Sequence, residues 1–137
     1  HFAKWDLGQN VTLNVVADEA RFLKASDEQI GKHKALVTQA VKLFGTRQFD
    51  HYDFLLSLTE KMGGIGLEHH RSSENGVDTG YFTDWERGPG RRNLLPHEFT
   101  HSWNGKHRRG ADLVTPDFRT PMRNSMLWVY EGQTQFW

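Results

Sequence analysis

The stretch Asn93-Leu94-Leu95-Pro96-His97-Glu98-Phe99-Thr100-His101-Ser102-Trp103-Asn104 decides how this 137-residue chain is read. Asn93 is a good N-cap, and Pro96 falls in the first turn, where its missing N–H costs nothing. The spacing therefore predicts a helix from near Asn93 to about Asn104. Residues four apart on a helix share a face, so the His97 and His101 imidazoles can reach one cation. Glu98 sits about 100° round the helix, inconvenient as a ligand but near enough to reach a water on that cation. Leu95, Phe99, Thr100, Ser102 and Trp103 are uncharged, as a metal-bearing helix inside a packed core requires. The pattern is H-E-x-x-H, with His97 and His101 as candidate zinc ligands and Glu98 as candidate general base.

The chain contains no cysteine and eight histidines. Disulfide frameworks, thiolate catalysis, Cys-type zinc fingers and iron–sulfur clusters are excluded, and a metal must be held by nitrogen and oxygen. A catalytic zinc needs a third protein ligand and one open position. His107 gives H-E-x-x-H-x-x-N-x-x-H, the metzincin spacing, with Asn104 where those enzymes normally carry Gly, and Met122 or Met126 could serve as a Met-turn. The rival is Glu131 in Trp128-Val129-Tyr130-Glu131-Gly132-Gln133-Thr134-Gln135-Phe136-Trp137. A carboxylate in so apolar a segment is costly to bury unless paired or bound to a metal. His107 lies among Lys106, Arg108 and Arg109, cations that would repel zinc, so the electrostatics favour Glu131.

Residues 11–16 are rich in β-branched side chains and read as a strand. Ser26-Asp27-Glu28-Gln29 has the form of a capping box, and Ile30, Val37, Val41 and Phe44 recur at helical spacing until Gly45. Tyr52, Phe54, Leu56 and Leu58 alternate as in a strand with one buried face, and residues 65–72 look like another strand after Gly63-Gly64. Residues 73–92 read as a long polar loop, 105–121 as a connection and 125–137 as the last helix. His69 and His70 are expected on opposite strand faces, and His33 and His51 at the surface or as caps. Asp78, Asp84, Asp112 and Asp117 are candidates to receive the second ring N–H of the zinc histidines. Tyr81 is expected to pack with Phe82 and Trp85, and Tyr130 in the core beside Glu131.

Lys+Arg and Asp+Glu number 17 each, which gives no global electrostatic case for a nucleic-acid or membrane partner. Residues 85–123 carry 8 basic and 4 acidic groups. That imbalance suits the rim of a cleft better than a nucleic-acid patch, which would show steeply salt-dependent binding. No apolar run approaches the ~20 residues of a membrane span. The chain stops at Trp137 inside an apolar helical pattern, so residues 1–137 are expected to be a partial domain of a longer protein.

Residues 94–106 followed by 127–136 resemble the glycyl aminopeptidase family of zinc peptidases, gluzincins related to thermolysin and aminopeptidase N. Gly63-Gly64-Ile65-Gly66-Leu67-Glu68-His69-His70-Arg71-Ser72-Ser73 and Gly80-Tyr81-Phe82-Thr83-Asp84-Trp85 extend the likeness upstream, over about half of the chain. The resemblance implies one zinc ion on His97, His101 and Glu131, with Glu98 as base, in a partial metallopeptidase catalytic domain. It further implies an α+β gluzincin core, a small mostly antiparallel sheet over the H-E-x-x-H helix with the third-ligand helix crossing nearby. The expected activity is that of an aminopeptidase taking small N-terminal residues from a peptide substrate. It also implies that the strand bearing Gly66 and Glu68 edges the cleft, with Glu68 holding the free amino terminus, although Ile65 and His69 depart from the relatives' Gly and Asn. Glycines there let another backbone approach, and a strand edge offers unpaired groups to an extended peptide. The alternatives are a zinc-containing peptide-binding module without turnover, and a metzincin-type peptidase using His107.

Overall fold

Ser26 ends an extended run and starts the longest helix. Its hydroxyl accepts from the Gln29 backbone N–H, and the Gln29 side chain accepts from the Ser26 N–H, so two donors at the helix start are satisfied reciprocally. In the computed structural model, which describes residues 1–137, this helix (α1) covers Asp27–Phe44 and stops at Gly45 in the left-handed conformation, φ 73°. Its buried face carries Ile30, His33, Val37 and Ala40.

The helix lies in the chain between β2 (Val11–Ala17) and β3 (Tyr52–Leu58), and these two strands pair in parallel. A helical crossover dictates that outcome, because it returns the chain to the end of the sheet from which it left. β1 (Phe2–Gly8) pairs antiparallel with β2, β5 (Ser72–Val77) parallel with β3, and β4 (Ile65–Glu68) antiparallel with β5. The sheet order is β1-β2-β3-β5-β4, with β4 on an edge. The α+β class holds, but the sheet is mixed rather than mostly antiparallel.

Tyr52, Phe54, Leu56 and Leu58 of β3 bury the alternation that the sequence displays, facing Val11, Leu13 and Val15 of β2 within one core. Two strands do not follow from hydropathy. β1 buries only Leu7 and is fixed by the Gly8-Gln9-Asn10 reversal, all three at positive φ. The sequence predicts one strand over 65–72 and then a loop. Instead the chain reverses at 69–71 into β5, so His69 and His70 sit in a turn rather than on strand faces.

Tyr81 and Phe82 are buried as expected, but His33 is a correction. It is only 4% exposed, with Nδ1 2.7 Å from the Gln29 carbonyl and Nε2 2.8 Å from the Tyr81 hydroxyl. The ring therefore donates to Gln29 and accepts from Tyr81 as neutral imidazole. Burial pushes its pKa below 6.5, partly offset by the Gln29 bond. The unfolded chain protonates His33 near pH 6.5 while the folded chain resists, so unfolding takes up a proton in the window below 6.5. Stability is expected to fall with acidification there, by at most about 1.4 kcal/mol per pH unit from this group. Urea unfolding between about pH 7.5 and 5.5 should show a shallower decline for His33→Gln, and equal slopes would count against it. His51, by contrast, is exposed beside Asp50.

Candidate metal centre

The H-E-x-x-H residues lie on α2 (Leu94–Thr100) and its C-cap, His101. Asn93 makes no side-chain cap; it ends a 3-10 turn, Pro89–Asn93, that leads directly into the helix. Leu95 and Phe99, four apart, are fully buried against the sheet, with the Phe99 ring 4.8 Å from Tyr52 and 5.2 Å from Phe54. Seating that face on the core leaves the remaining faces to carry the chemistry. The predicted helix to Asn104 ends early, because a π-type segment, Ser102–Lys106, follows His101.

His97 Nε2 lies 3.1 Å from His101 Nε2 and 3.1 Å from Glu131 Oε2, and His101 Nε2 lies 3.4 Å from the same oxygen. Glu131 arrives on Trp128–Gln133, a π-type segment continuous with the short helix α3 (Thr134–Phe136). Each histidine has a carbonyl-type acceptor at its other nitrogen. His101 Nδ1 is 3.0 Å from the Asn104 carbonyl, and His97 Nδ1 is 3.1 Å from Gln135 Oε1. Both rings therefore carry Nδ1–H, and their Nε2 lone pairs converge with a carboxylate oxygen. Atoms so placed are held together either by a shared proton or by a cation between them. Ligands 2.0–2.1 Å from a tetrahedral ion are about 3.3–3.4 Å apart, close to the separations here. The residues fit zinc, and the Glu98 carboxylate lies within 4.8 Å of the two imidazoles.

The partners of His97 and His101 are thus a backbone carbonyl and a glutamine, and none of Asp78, Asp84, Asp112 and Asp117. Asn104 does more. Its side chain donates to the Val129 carbonyl at 2.8 Å and to Thr134 Oγ1 at 3.0 Å, tying the end of the histidine segment to the segment that brings Glu131. Next to it Gly105 has φ 153°, and a Cβ there would lie 2.9 Å from the Tyr130 ring. Tyr130 in turn packs at a tilt against His101, ring centroids 4.6 Å apart. His107 stays out of the cluster: it is exposed, its ring 5.4 Å from that of His70. Met122 and Met126 are also exposed.

Glu98 is buried against edge strand β4. A Cβ on Gly66 would lie 2.1 Å from Glu98 Oε1, so glycine here makes room for this carboxylate. Burial, reinforced by the Glu68 and Glu131 carboxylates and opposed by His97, lifts Glu98 to about 7; a divalent cation on the imidazoles would pull it down again. Glu68, two residues along β4, accepts from the Tyr130 hydroxyl and lies 3.3 Å from Lys106 Nζ. Burial alone would raise its pKa, but those partners hold it below the usual carboxylate range. Asn104, Lys106, Tyr130 and Gln135 are the neighbours that sequence reasoning left without a role at the site.

A solved structure, that of an aminopeptidase N family protein from Idiomarina loihiensis, superposes on 98% of this chain with a TM-score of 0.72 at 20% identity. The likeness shows a shared fold; the match covers 23% of that chain, less than a quarter of its length. No curated protein matches. Residues 90–137, which contain His97, Glu98, His101 and Glu131, match the model of the M61 glycyl aminopeptidase family. The likeness to that family is confined to this segment, about a third of the chain.

Proposed function

We propose that this chain is the catalytic core of a zinc-dependent aminopeptidase that removes small N-terminal residues from peptides. The observation that carries the reading is the convergence of His97 Nε2, His101 Nε2 and Glu131 Oε2 at mutual distances of 3.1–3.4 Å. Bound by these three atoms, zinc would supply a Lewis acid that polarises a carbonyl and acidifies water. Glu98 would take a proton from the attacking water and return it to the leaving amine. Nδ1–H bonds to the Asn104 carbonyl and to Gln135 would leave both Nε2 atoms available as ligands. Edge strand β4 offers its outer backbone groups to an extended peptide, with Glu68 beside it to receive the free amino terminus.

The test is turnover of glycine p-nitroanilide. Hydrolysis is expected with zinc loaded, to be lost on chelation and to return when zinc is added back. A zinc-loaded protein unable to hydrolyse any free-amine dipeptide or anilide would overturn the reading.

A further inference from the structure

Glu68 already has an ammonium partner. Lys106 Nζ is 3.3 Å from Glu68 Oε1, and each side chain is only 17% exposed. The Tyr130 hydroxyl donates to the same oxygen. Lys106 closes the π-type segment just after Gly105, whose positive φ turns the backbone beneath Tyr130. The chemistry of that contact is that of a peptide's free amino terminus meeting a carboxylate.

We propose that Lys106 is a specificity-determining residue. Its ammonium and the Tyr130 hydroxyl both engage Glu68 Oε1, so a substrate's amino terminus meets a carboxylate whose charge is already partly neutralised. The proposal rests on Glu68 being the amine-binding group of the proposed function. Two ammonium groups at one carboxylate repel, and a carboxylate already neutralised attracts a second cation weakly. Lys106 thus weakens the preference for free-amine peptides over N-blocked ones. It turns Glu68 from an open anionic trap into a partly neutralised one.

Lys106→Met keeps most of the aliphatic stem and removes the charge. The probes are glycinamide and N-acetylglycinamide, with binding followed by NMR titration of the zinc-loaded and metal-free protein, so that no turnover is needed. Lys106→Met is expected to bind glycinamide about tenfold more tightly, the scale of one partly buried charge pair, with N-acetylglycinamide unchanged. Lys106→Arg, which retains the charge, should keep the original ratio. Adding Glu68→Gln to Lys106→Met should abolish the gain. Should Lys106→Met fail to fold, Lys106→Gln tests the same charge.

Glycinamide preferred through Glu68, but bound no more tightly once the Lys106 charge is gone, overturns the proposal while leaving the amine reading intact. Equal binding of both amides, with Glu68→Gln changing neither, overturns the two together.

Discussion

Glu98→Gln is expected to lower kcat for peptide hydrolysis by about 10²–10⁴-fold, the range a positioned general base contributes, with zinc stoichiometry unchanged. The amide is nearly the same size as the carboxylate, so the fit of Glu98 beneath Gly66 survives, but it cannot accept a proton. The converging ligand atoms belong to His97, His101 and Glu131, so metal content should stay at one ion per chain. Circular dichroism should be unaltered, and a colorimetric zinc assay beside a kcat measurement separates the two effects. Turnover surviving at the natural level would remove Glu98 from the mechanism.

Gly66→Ala should do nearly as much from the neighbouring strand. The added methyl would stand 2.1 Å from Glu98 Oε1 and 2.6 Å from Leu94 Cδ1. Both are the far ends of flexible side chains, so the fold can yield without moving its backbone. Only the position of the carboxylate is lost, and a displacement of about 1 Å in a catalytic group can cost about 10²-fold. The expected result is a drop in kcat of that order, with the thermal midpoint little changed and zinc retained. An active Gly66→Ala would mean that glycine is there for the strand alone. A protein that no longer folds would mean the contact is structural rather than a matter of placing the base.

Much of this site can be read from the sequence, because spacing on a helix is geometry. His97 and His101 fall together as residues four apart must, and Glu98 falls where a turn of about 100° puts it. Glu131 does meet the two imidazoles, but its side chain is 47% exposed, so the cost of burying a carboxylate in an apolar segment is not what places it there. The partners that fix the rings did not follow. One is a backbone carbonyl, which no residue type announces, and the other is Gln135, one turn beyond Glu131. In the sequence Lys106 is one of the cations around His107; only the folded chain pairs it with Glu68, 38 residues upstream.

The fold divides in a similar way. The α1 capping box and the β3 alternation are local patterns and were legible. β5, Ser72-Ser73-Glu74-Asn75-Gly76-Val77, carries almost no hydrophobic signal, because its buried positions are Ser73, Asn75 and Gly76, the Asn75 amide donating to the Ser73 hydroxyl. The parallel pairing of β2 with β3 was implicit in strand, helix, strand, yet the expected antiparallel sheet passed over it.

The proposed site holds a single cation between two imidazoles and a carboxylate. Anomalous diffraction at the zinc edge, from crystals grown with zinc, tests it most directly. One strong peak is predicted, bounded by His97 Nε2, His101 Nε2 and a Glu131 carboxylate oxygen, each about 2.0–2.2 Å away. A map with no peak there, or with its strongest peak at His70 and His107, would contradict the account.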